Sequence, residues 1–87
     1  MIKNKFKDDA IKIIEKFGKE HQKNKAIEEL AELVVALAKN DKTNIVEETA
    51  DVLFMILQIQ IVYDIKDETI DEIIKEKIER IRKKLCM

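Results

Sequence analysis

Glu29, Glu32, Glu48 and Asp51 are the residues of this 87-residue chain whose types and spacing are best suited to chemistry. They lie in two short stretches, Glu28-Glu29-Leu30-Ala31-Glu32-Leu33 and Glu47-Glu48-Thr49-Ala50-Asp51-Val52-Leu53, each with a pair of acids three residues apart in otherwise apolar surroundings. On a helix that spacing puts both side chains on one face. Two such helices packed antiparallel bring four carboxylates together. Like charges in a partly dry groove repel, and each unpaired ion is costly to desolvate, so the arrangement makes sense around bound divalent metal. Ligation by oxygen alone points to Mg2+, with Mn2+ as a substitute.

Five pairs of acids stand three apart in this chain, and the other three serve as internal controls. Asp64/Asp67 falls in an expected connection. Glu68/Asp71 and Glu76/Glu79 lie among many Lys and Arg residues, where a solvated helix face accounts for them. What separates the first two pairs is their setting, with Leu30, Ala31, Leu33 and Val34 around one and Ala50, Val52, Leu53 and Phe54 around the other. The two stretches also align at an offset of 19 residues, Glu28 with Glu47, Glu29 with Glu48, Ala31 with Ala50 and Glu32 with Asp51, as in a pseudo-symmetric helix pair.

The elements that must position these acids are helical. With no proline, one glycine and 40% charged residues mixed with abundant Ile, Leu and Val, the composition favours helices joined by short loops. The length suits one domain, small enough that assembly with further copies would add stability. Seventeen basic against eighteen acidic residues create no global field for nucleic acid or an anionic membrane, so neither is expected as a partner. The lone Cys86 fits a reducing interior, and the most apolar run, Val52 to Val62, is too short to span a bilayer; a cytoplasmic protein is expected.

Ile2, Phe6, Ala10, Ile13, Ile14 and Phe17 recur at helical spacing, predicting a first helix over about residues 2–17 with Gly18 as its stop. A second helix over about 20–39 is expected to bury Ile27, Leu30, Val34, Leu37 and Ala38, and the polar stretch Asn40 to Thr43 to end it. Asn44 is the expected N-cap of a third helix over about 45–63, with Glu47 three residues on completing a capping box. That helix is apolar nearly all round from Val52 to Leu57, which predicts burial by its own bundle and by a partner subunit. Asp67 is the expected cap of a fourth helix over about 67–85, with Ile70, Ile73, Ile74, Ile78, Ile81 and Leu85 as its buried stripe. The fold class expected is all-α, a compact four-helix bundle assembled as a homo-dimer or tetramer.

In its paired acids the chain resembles the MazG-like all-α nucleoside triphosphate pyrophosphohydrolases, whose signature is ExxE, a spacer, then ExxD. Here it reads Glu29-Leu-Ala-Glu32, fifteen residues, then Glu48-Thr-Ala-Asp51, flanked by Glu28, Leu33, Glu47, Val52 and Leu53. Gln22 upstream of the first acids, and Lys77 with Arg80 in the last helix, extend the likeness over roughly Gly18 to Lys84. The resemblance implies a single such domain over residues 1–87 and Mg2+-dependent cleavage between the α and β phosphates of a nucleoside triphosphate. The products would be the monophosphate and pyrophosphate, in the service of nucleotide-pool house-cleaning. It assigns Glu29, Glu32, Glu48 and Asp51 as metal ligands and makes Glu32 the choice for the base that activates water, although spacing does not distinguish it from Glu29.

Gln22, Lys25, Glu29 and Glu32 fall on one helical stripe, which would let the Gln22 amide contact base or sugar and the Lys25 ammonium a phosphate. Lys25 equally suits an ordinary i,i+4 ion pair with Glu29. Lys77 and Arg80 are expected to face phosphate, while cations near a helix C-terminus also complement its dipole. His21 is assigned no role. Two other readings compete: a phosphoribosyl-ATP pyrophosphatase, ranked second because the flanking residues look closer to the MazG-like group, and a catalytically silent helical interaction module.

Overall fold

The structure, a computed structural model, describes residues 3–86, with side chains described from Lys5 onward. Ile2, expected to open the first apolar stripe, lies outside the described residues. Four helices follow in order: α1 (Lys3–Phe17), α2 (Lys19–Lys39), α3 (Lys42–Val62) and α4 (Asp67–Leu85). The all-α class and the count of four helices are as expected. Among the described residues no helix is long and apolar enough to cross a membrane.

Gly18 both ends α1 and precedes α2. Its φ of 91° lies where only glycine is comfortable, and its N–H reaches the Ile14 carbonyl at 2.8 Å, so the chain turns without a loop. The α2–α3 turn is nearly as short. Asn40 adopts the left-handed conformation at φ 54°, and Asp41 N–H returns to the Ala36 carbonyl at 3.3 Å, closing α2. Asp41 then accepts from Asn44 N–H at 3.3 Å and Asn44 Nδ2 at 2.9 Å. Asp41 rather than Asn44 is therefore the N-cap of α3, which starts at Lys42, three residues before expectation, and Glu47 has no capping-box partner in Asn44. The reason lies in the preceding residue: once Asn40 has closed α2, the next side chain able to accept from the new helix is Asp41.

Helices α2 and α3 form an antiparallel hairpin, the main packing of the molecule, and α1 lies mostly on α3 and less on α2. The core consists of Ala10 and Ile14 of α1, Ala26 and Ala36 of α2, and Val52, Met55 and Leu57 of α3. The buried face of α2 is Gln22, Ala26, Glu29 and Ala36, with Leu33 half-buried. This overturns the expected stripe: Ile27 (58% exposed), Leu30, Val34 (66%), Leu37 and Ala38 point outward. Small alanines let the two backbones of the hairpin approach closely, and with Ala26 and Ala36 turned inward the bulkier residues must face away.

Helix α4 departs further from expectation. Among the described residues it packs against none of the other helices, and Ile73, Ile74, Ile78, Ile81 and Leu85 are exposed, with Ile70 half-buried. The tight packing is thus confined to three helices. The Cα radius of gyration is 15.4 Å, where a compact chain of this length would have about 12 Å.

A buried glutamine sets the direction of α4. The α3 helix ends through Asp64 at φ 52°, with Ile65 N–H on the Gln60 carbonyl at 2.8 Å. The Gln60 Nε2 atom donates to the Ile65 carbonyl at 3.4 Å and to Asp67 Oδ1 at 2.8 Å. Asp67 is thus the first residue of α4, held by Gln60, while Lys66 occupies the cap position. Replacing Gln60 by Leu is expected to lower global stability by only about 0.5–1.5 kcal/mol. Amide exchange from Ile65 through the first turn of α4 is expected to accelerate much more; equal protection in the two proteins would show that Gln60 does not hold the elbow.

Candidate metal centre and adjoining cavity

The hairpin brings three of the four paired acids into one cluster and leaves the fourth, Glu32, beside it. As residue numbers rise along α2 their partners fall along α3: Gln22 meets Gln58, Glu29 meets Asp51, and Glu32 meets Glu48. Carboxylate oxygens of Glu29, Glu48 and Asp51 lie within 4.8 Å of one another. Glu29 is only 8% exposed, and Oε2 of both Glu29 and Glu48 is buried without a hydrogen-bond partner. Glu32 stands at the edge of this trio, exposed and joined to it through Glu48.

Crowding of acids shows in their protonation. Glu48 is pushed up to about 7, first by desolvation, then by a hydrogen bond shared with Glu32 and by the charges of Glu32, Asp51 and Glu29. Asp51 is raised by desolvation, by the charge of Glu29 and by a hydrogen bond shared with it, with Lys25 opposing. Buried oxygens without donors, held near like charges, are a donor set that a hard divalent cation satisfies. The residues present fit Mg2+ or Mn2+ in that respect, with Glu29, Glu48 and Asp51 as the holders.

The other candidates fall in three places. Lys25 forms the ordinary ion pair, with Nζ 3.4 Å from Glu29 Oε1 and 3.9 Å from Glu28 Oε2, and those acids favour its charged form. Gln22 lies in the core: its Nε2 donates to Gln58 Oε1 at 2.7 Å, and its Oε1 is 2.7 Å from His21 Nδ1. The His21 ring is stacked on Phe17 at 5.3 Å between centroids. Lys77 and Arg80 stand on α4, which packs on none of the helices that carry the acids.

Sequence reasoning overlooked Gln58 and the surroundings of Glu32. Gln58 is 2% exposed, and its Nε2 donates to the Met55 sulfur at 3.6 Å, completing a polar chain that runs inward from the exposed His21 through Gln22. Near Glu32 an open cavity of about 330 Å³ is lined by Glu32, Glu48, Lys39 and Asn44 over a floor of Ala31, Val35 and Ala36. Spacing could have found both polar additions, since Asn44 precedes Glu48 by four residues and Lys39 follows Glu32 by seven, each close to a whole number of helical turns.

Residues 2–80 match the family model of phosphoribosyl-ATP pyrophosphohydrolase. No curated protein and no solved structure matches the chain. Four helices without a strand among the described residues, and an acidic cluster able to hold a metal, agree with that match. The chain belongs to the phosphoribosyl-ATP pyrophosphohydrolase family, metal-dependent hydrolases within the MazG-like all-α nucleoside triphosphate pyrophosphatase superfamily.

Proposed function

We propose that the protein uses Mg2+ or Mn2+ to hydrolyse the α–β phosphoanhydride of a nucleotide triphosphate, releasing the monophosphate and pyrophosphate. The observation that carries this reading is the trio of carboxylates within 4.8 Å, two of them with buried oxygens that have no donor. Glu29, Glu48 and Asp51 hold the cation. Once bound, the cation supplies positive charge against the triphosphate and Lewis acidity toward water. Glu32, at the edge of the trio and exposed, takes the proton of the attacking water, with Glu29 as the other acid suited to that role. The water oxygen bonds to the α phosphorus, the bond from that phosphorus to the bridging oxygen breaks, and its electron pair leaves with the diphosphate. Lys25 holds Glu29 in place until substrate competes for its ammonium.

Two substrate readings stand level. The residues flanking the acids suggest house-cleaning of nucleoside triphosphates, whereas the family match favours phosphoribosyl-ATP, so the second rank given to the latter is not upheld. Pyrophosphate release from phosphoribosyl-ATP and from a panel of standard and modified nucleoside triphosphates, with Mg2+ or Mn2+, separates them. A tenfold or greater advantage in kcat/KM, on the order of 1.4 kcal/mol, assigns the substrate. No release from any compound by a fully helical protein would favour a silent helical module with a structural cation.

We further propose that two copies pair through the apolar residues that one chain leaves uncovered. Sixteen large hydrophobic side chains are exposed among the described residues, against seven apolar residues in the core. They concentrate on the outer face of α2 and along α4, and isolated soluble monomers rarely expose such continuous surfaces. A phosphate-binding role for Lys77 and Arg80 then depends on α4 of the second copy reaching across the acidic face.

A further inference from the structure

We infer that the cavity between the end of α2 and the start of α3 seats the diphosphate leaving group, with Lys39 as its cation. This rests on the hydrolase reading above and adds a place for the distal phosphates. The cavity shares Glu48 with the metal centre and takes in Glu32 at its edge, so a triphosphate whose α phosphorus lies at the carboxylates can extend its β and γ phosphates directly into it. Its volume of about 330 Å³ accommodates two phosphates with their water, and the small floor residues Ala31 and Ala36 leave that space open.

Charge decides what enters. A diphosphate leaving beside several acids needs a cation of the protein's own, and Lys25 and Lys39 are not equivalent in this respect. Lys25 is engaged by Glu29 and Glu28, and it is absent from the cavity lining. Lys39 lines the cavity and has no acidic partner among the described residues. Asn44 adds a polar group whose Nδ2 already donates to Asp41, and the first turn of α3 contributes the positive end of its dipole. A nucleobase would find no aromatic side chain in the lining to stack on. The distal phosphates are the part of the substrate that matches an unpaired ammonium.

Calorimetric titration of inorganic pyrophosphate into the full chain with Mn2+ tests this, comparing the parent with Lys39→Ala and Lys39→Arg. Loss of a charge-assisted contact is expected to weaken pyrophosphate binding about tenfold or more in Lys39→Ala, with Lys39→Arg retaining most of it. Affinity for Mn2+ alone and for AMP should not change. Pyrophosphate that binds equally well to the parent and Lys39→Ala, or fails to bind the parent, overturns the assignment, as does a loss confined to AMP. Turnover is scored separately: failure of the hydrolase reading appears as no pyrophosphate release by the parent, failure of the cavity assignment as pyrophosphate affinity indifferent to Lys39.

Discussion

Without divalent metal, Glu48→Gln is expected to be more stable than the parent above pH 7 and to lose that advantage by about pH 4.5. The sign follows from linkage. The Glu48 carboxyl is raised from 4.5 to about 7 in the folded protein, so the native state binds its proton more tightly than the unfolded chain does. Stability is therefore greatest below the unfolded value and falls as pH rises from 4.5 to about 7, where Glu48 must ionise among Glu32, Asp51 and Glu29. An amide of the same shape removes that repulsion. Saturating Mg2+ or Mn2+ should reverse the order, raising the melting temperature of the parent more than that of the variant, because a cation binding only the native state stabilises it by mass action.

The same substitution should lower metal-dependent pyrophosphate release by about 100-fold or more, the scale expected when a group that orders a metal or a proton transfer is removed. A variant more stable without metal and inactive with it is the signature of a site whose strain exists for ligand binding. Thermal melts across pH 4–8 and parallel turnover assays are sufficient. An unchanged melting profile together with retained turnover would show that Glu48 lies outside the metal centre.

The second large effect concerns α4. Among the described residues this helix of 19 residues packs on no other helix and is tied to α3 only near its first turn, so its apolar stripe needs a partner to keep it formed. The parent is expected to sediment as a dimer or larger assembly, and Ile74→Asp with Ile78→Asp as a monomer with reduced helicity confined to α4. Each buried isoleucine contributes about 1.5–3 kcal/mol, and because both copies carry the substitutions a pair loses four of them, weakening pairing by roughly 10⁴ or more. Sedimentation with circular dichroism reads both quantities. A monomeric parent with full helicity would remove the case for pairing and, with it, the route by which Lys77 and Arg80 approach the acids.

The acids were legible because two helical spacings in apolar settings impose one face each, and the turn between them is too short to allow any but an antiparallel return. Helix number and most boundaries followed from Gly18 and from the polar breaks near Asn40 and Asp64. What could not be read was which face of α2 turns inward. Hydrophobic periodicity marks Ile27, Leu30 and Val34 as buried without saying by what, and the chain's own hairpin instead uses Ala26 and Ala36, which permit close approach and place Glu29 inside. The stripe of α4 misled in the same way. The cap of α3 failed for a local reason, since Asp41 and Asn44 are both good capping residues and only the left-handed Asn40 decides between them.

The brevity of the Asn40–Asp41 turn also bears on the order of events in folding. Every carboxylate of the centre lies between Glu29 and Asp51, within one local hairpin, so its closure needs little loop entropy and no contact from α4. The acidic centre can therefore close as a local unit, before α4 has found anything to pack against. Metal capture then precedes meeting another copy, and the ion can act as a folding clamp on a single chain before it serves an assembled protein.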